Sequence, residues 1–139
     1  MSHSTSDSDA VKQLNSFRPE FIELLGGRVI GADIEARSCT FTFCVPLKFC
    51  HSGNIVQGGF VTAMLDAAMS HAVFGCAPDV ERLSSLEITT RYESVTRGET
   101  SLIVTGLVRR MTRTIAFLEA DIKSESGEVL AVAHSVAKI

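Results

Sequence analysis

The chain has 139 residues with 16 acidic and 13 basic side chains, and neither sign forms a run. That length suits one domain with a sizeable core, and the balance of charge argues against a nucleic-acid surface. Cys39, Cys44, Cys50 and Cys76 form no CxxC pair and match no zinc spacing. With no signal-peptide pattern at the start, they read as reduced thiols of a cytoplasmic protein with no metal.

The first nine residues, Met1 to Asp9, are rich in Ser, Thr and Asp, a composition that predicts disorder; residues 10–139 form the expected domain. Val11 to Leu25 reads as helix broken near Arg18-Pro19 and stopped by Gly26-Gly27. From Arg28 the period becomes two. Ile30, Ala32, Ile34 and Ala36 form one alternating set, and Cys39, Phe41, Phe43 and Val45 another, so two strands in a hairpin are expected. Pro46 to Val56 reads as a loop. Cys50 adjoins His51, but neighbours in an extended segment diverge, which disfavours a nucleophilic pair.

Gly58 to Phe74 is apolar on nearly every side, as in a helix wrapped by other structure. No stretch is expected to span a bilayer. After a turn at Gly75 to Glu81, strands are predicted at about Arg82 to Glu93, Glu99 to Arg109, Arg113 to Lys123 and Val129 to Lys138. The order predicts an α+β fold, one antiparallel sheet curled around one long helix.

Within that helix one carboxylate, Asp66, has no basic residue within a turn. Burying an ionisable acid is costly without compensation, which marks Asp66 for chemistry. Gly58 and Gly59 open the same helix, whose unsatisfied amides and partial positive charge suit an oxyanion, and neither glycine has a Cβ to block a substrate.

Element order and the run His51-Ser-Gly-Asn-Ile-Val-Gln-Gly-Gly-Phe-Val-Thr-Ala-Met-Leu-Asp66 resemble the hotdog-fold thioesterases, within the 4-hydroxybenzoyl-CoA thioesterase superfamily. The chain looks most like the branch typified by the phenylacetate-pathway acyl-CoA thioesterase. The resemblance implies hydrolysis of an acyl-CoA to an acid and free coenzyme A. No separate cofactor is implied, since coenzyme A is part of the substrate.

Carried over, it makes Asp66 the base or nucleophile and the Gly58 amide the group that polarises the carbonyl. The residue at His51 would orient water or the carbonyl, and Ser85 would assist the acid. Gln57, Gly59, Asn54 and Met69 are the expected substrate contacts. Arg109 and Arg113 are candidates for the phosphates of coenzyme A, with solvated charge as their ordinary alternative. The family pattern has Asn at His51 and His at Gln57. Gln57 keeps hydrogen bonding without proton transfer, whereas His51 adds a group that titrates near neutrality.

Eight residues of helix separate Gly58 from Asp66 by roughly 12 Å, too far for both to work on one carbonyl. A two-fold dimer with antiparallel helices would bring them together, so shared sites in a homodimer are expected, with a tetramer also open. His71, about 140° round the helix from Asp66, reads as packing. Two rival functions remain: a hotdog dehydratase or hydratase using His51 and Asp66, and a silent acyl-CoA sensor.

Overall fold

A computed structural model describes residues 3–139. The first helix, α1 (His3–Ser16), already starts within the segment expected to be disordered; Met1 and Ser2 lie outside the described residues. Composition misleads here because the helix is held by contacts distant in sequence. The Asp7 carboxylate accepts a hydrogen bond from the Ile34 amide at 3.0 Å. The Asn15 side chain accepts from the Val29 amide at 2.9 Å and donates to the Val29 carbonyl at 2.8 Å.

Helix α2 (Glu20–Leu24) follows Pro19. It ends in a Schellman arrangement, with Gly26 at φ +75°, its amide on Glu23 O and the Gly27 amide on Ile22 O. Gly26 is also required by space, because a Cβ there would run into the Cys44 carbonyl.

Strands β1 (Arg28–Asp33) and β2 (Ser38–Phe43) form the expected hairpin. The β1 face is a correction. A register shift between Val29 and Gly31 turns Val29 inward and leaves Ile30 43% exposed, so the alternation led by Ile30 does not line the core. In β2 the expected set holds: Cys39, Phe41 and Phe43 are buried, followed by Val45. Burying side chains of this kind stabilises by about 1.5–3 kcal/mol each.

The segment read as a loop contains a 3₁₀ turn (Leu47–Phe49) and a two-residue hairpin, β3 (Cys50–His51) with β4 (Ile55–Val56). It reverses through Ser52 and Gly53, both at positive φ. Elements this short carry no period to read.

Helix α3 (Gly58–Cys76) is followed by β5 (Ser84–Tyr92), β6 (Leu102–Met111), β7 (Ile115–Ser124) and β8 (Val129–Lys138). The six long strands form one antiparallel sheet in the order β1-β2-β6-β7-β8-β5, with α3 packed on one face. This is the hotdog arrangement.

Met64, Leu65, Ala68, Met69, Ala72 and Val73 of α3 are buried with Phe41, Val104 and Ile122 of the sheet. The approach is closest at Gly106 of β6, where any Cβ would collide with the Ala68 carbonyl. By length and apolar composition alone, α3 is able to cross a membrane, contrary to expectation. Its nine buried residues are covered by protein instead. Strand β5 forms one edge of the sheet, with Leu86 60% and Tyr92 53% exposed.

Candidate active site

The start of α3 is built from two sides. Gln57 is extended, at φ −56° and ψ 136°, and its amide donates to Phe49 O. Its carbonyl accepts from the Phe60 and Val61 amides. The Gly58 and Gly59 amides meet no acceptor among the described residues, as first-turn amides do unless something caps them. They border a cavity of about 320 Å³ shared with His51, Val61, Tyr92 and Thr96.

From the sheet side, the Tyr92 hydroxyl donates to the Gly58 carbonyl at 2.8 Å. Its one proton is thereby used, so Thr62 donates to Tyr92 at 3.0 Å and Thr90 to Thr62 at 2.9 Å. This relay pins the first turn of α3 to β5. A Cβ on Gly58 would lie 3.2 Å from the Tyr92 oxygen, whereas one on Gly59 would meet nothing. Sequence reasoning missed Tyr92. The available signal was its place as the sole tyrosine, one strand period after Thr90.

Asp66 is half-buried in the middle of α3. Burial raises its pKa above the ordinary carboxylate value, and a hydrogen bond from Ser85 works in the opposite direction. The Ser85 hydroxyl donates to Oδ1 at 3.3 Å. Both residues line a second cavity of about 760 Å³, walled by Leu14 of α1, by Phe17 just after that helix, by Phe74, and by Leu83. The two cavities have no lining residue in common.

The structure thus brings Asp66 together with Ser85, and His51 with Gly58 and Gly59, but it keeps the two groups apart. The remaining sequence candidates fall elsewhere. Gln57 is exposed and lines neither cavity. Asn54 is engaged in holding a turn, accepting from Arg97 at 2.8 Å and donating to Gly98 O at 3.3 Å.

Met69 is sealed in the core at 1% exposure rather than lining an acyl pocket. Arg109 pairs with Glu119 at 3.3 Å, Arg113 is exposed, and neither borders a cavity. Their positions follow from the turn between β6 and β7. His51 lies 3.2 Å from Ser52 Oγ, while Cys50 Sγ is directed to Pro46 O, so the two diverge. Among the described residues, no three His, Cys, Asp or Glu side chains gather as metal ligands.

The fold has many solved counterparts. A phenylacetic acid degradation-related protein from Ralstonia eutropha superposes with a TM-score of 0.80 at 22% identity, over 87% of this chain and 90% of the other. The PaaI protein of the Escherichia coli phenylacetic acid degradation operon gives 0.83 at 14% identity, over 99% and 95%. A thioesterase from Haemophilus influenzae gives 0.81 at 17% identity, over 92% and 88%. At these identities the likeness is one of fold. No curated protein sequence matches the chain. The family is nevertheless fixed by sequence: residues 53–131, more than half of the chain, match the thioesterase superfamily, and the chain belongs to it.

Proposed function

We propose that the protein is an acyl-CoA thioesterase whose active sites are each assembled from two copies of the chain. The observation that carries this reading is the division of one helix between two cavities: open amides at Gly58 and Gly59 border one, and a raised-pKa carboxylate at Asp66 borders the other. Neither half suffices for thioester hydrolysis, which requires an anion-stabilising pocket and a base or nucleophile. A second copy with its α3 antiparallel supplies the missing half to each, giving two equivalent sites. The exposed edge of β5, carrying Leu86 and Tyr92, is the surface that such pairing would cover.

In the assembled site the thioester oxygen faces the Gly58 amide of one copy, at the positive end of α3. Asp66 of the second copy takes a proton from water. The water oxygen bonds to the carbonyl carbon, the C–S bond breaks, and the leaving thiolate takes the proton from Asp66 to become free coenzyme A. In the nucleophilic alternative, Asp66 attacks the carbon itself, the C–S bond breaks with departure of the thiolate, and water then cleaves the mixed anhydride. Single-turnover hydrolysis in ¹⁸O water separates the two, because only the anhydride route can carry the label into Asp66. Ser85 positions the carboxylate and favours its charged form. His51, beside Gly58, is placed to orient the carbonyl or the water. The four free thiols support a cytoplasmic setting.

The test is a panel of acyl-CoA esters, with crotonyl and 3-hydroxyacyl forms included, followed in parallel for thiol release and double-bond absorbance. Thiol release lost in Asp66→Ala supports the reading. Hydration without thiol release would replace it with the hydratase, and binding with neither signal with a sensor.

A further inference from the structure

Of the polar side chains that line the cavity holding Asp66, His71 alone is buried, and the hydrolysis leaves it idle. His71 is 3% exposed and forms part of the cavity wall. Aromatic rings fix its plane: Phe41 meets it edge-on with centroids 5.0 Å apart, and Phe74 at 5.9 Å. Its Nδ1 lies 2.8 Å from the Ala67 carbonyl, which can only accept, so Nδ1 carries the proton. Burial opposes a second proton, outweighing the hydrogen bond to Ala67 that favours it.

The ring therefore presents Nε2 as an acceptor. That atom has no protein partner among the described residues. Nor is it fully sealed, since among the described residues Arg18 Nε alone is both buried and unpartnered. A ligand that fills the cavity must offer this acceptor a donor or forfeit the hydrogen bond it makes to water.

Five residues of helix advance about 7.5 Å from Asp66 to His71, and the Ala67 contact folds the side chain back towards Asp66. An extended chain advances about 1.2 Å per bond. The donor that reaches Nε2 from a carbonyl beside Asp66 thus sits roughly five to seven bonds along the acyl group. The rings of Phe41 and Phe74 flank the imidazole, which favours a neutral donor, and a hydroxyl is the smallest one that an acyl chain carries.

Resting on the thioesterase reading, we propose that His71 is a specificity residue that selects acyl groups bearing a hydroxyl at this distance from the thioester. The test compares octanoyl-CoA with 7-hydroxyoctanoyl-CoA in the wild type, His71→Gln and His71→Leu, with far-UV circular dichroism as the folding control. The wild type should favour the hydroxylated ester in kcat/KM by about tenfold, the yield of one neutral hydrogen bond. Gln, which retains an acceptor, should keep part of the ratio, and Leu should bring it to one or below. A wild-type ratio near one overturns the proposal even if a variant fails to fold, as does a ratio that survives in Leu.

Calorimetry with the two matching non-hydrolysable thioethers gives the same comparison without turnover. A His71-dependent difference in Kd without thiol release from either ester would keep the site and remove the hydrolase. Normal thiol release with no difference in Kd or kcat/KM would do the reverse.

Discussion

Gly58 and Asp66 ride on the same helix and open onto different cavities. Helix α3 is continuous between them, so about 12 Å of rigid rise separates the amide from the carboxylate. Gly106 lets the helix lie directly on the sheet, and the Tyr92 relay fixes its first turn. Bending or sliding within one chain therefore cannot close the gap without breaking the core.

The carboxylate is the first group to remove. Asp66→Asn should lower kcat by about 10²-fold or more, within the range for general bases, measured by thiol release. Stability should change in the opposite direction. Because burial raises the folded-state pKa of Asp66, the folded chain binds more protons than the unfolded one between the unfolded pKa and that raised value. Stability due to this group falls as pH rises through that window, and the penalty is complete above it. The Asn variant should therefore melt higher than wild type at pH 7 and lose that advantage below about pH 3.5, under the unfolded carboxylate pKa. An unchanged Tm difference across that range would show that Asp66 carries no burial penalty.

Under the proposed mechanism Ser85 acts through Asp66. Its hydrogen bond favours the ionised carboxylate, so Ser85→Ala should move the acidic limb of the kcat profile to higher pH, in addition to lowering the plateau. A lowered plateau with an unmoved limb would assign Ser85 to packing alone.

The amide is tested by proline. Gly58 is the first residue of α3, where proline is tolerated, and Gln57 already has the extended backbone that precedes proline. Gly58→Pro deletes the N–H while keeping the helix start; the Tyr92 hydroxyl need shift only slightly. Removing one oxyanion donor should cost about 10²–10³ in kcat with an unchanged circular dichroism spectrum. Retained kcat in a folded variant would move the oxyanion site elsewhere.

Much of the candidate site was legible because α3 carries two departures from an otherwise apolar pattern, the glycine pair and Asp66. Their separation follows from helix geometry alone. The long strands β6 to β8 were legible from period two, to within a few residues at their ends. Other features depended on contacts between distant residues. Helical residues before Ala10 are held through Asp7 to Ile34, and the inward face of β1 depends on a register shift at Val29. Tyr92 reaches Gly58 only through the register of β5. His71 packs against Phe41 and Phe74, as its angular offset from Asp66 suggests; that it also lines the cavity of Asp66 is not legible from helix geometry.

The Tyr92 relay gives a stability prediction. Tyr92→Phe removes the donor to Gly58 O and the acceptor for Thr62. With the ring half-exposed, the loss should be about 0.5–1 kcal/mol in denaturant unfolding. Thr62→Val should have the same sign, and the double variant should cost less than the sum of the two. Strict additivity would mean that the two hydroxyls act independently.

The measurement that bears most directly on the shared site is the activity of purified mixed dimers of Asp66→Ala and Gly58→Pro chains. Each parent dimer should be nearly inactive in thiol release. In the mixed dimer one site carries both substitutions, while the other joins an intact Asp66 to an intact Gly58, so about half the wild-type rate should return. Mixed dimers no more active than their parents would contradict a site built from two chains.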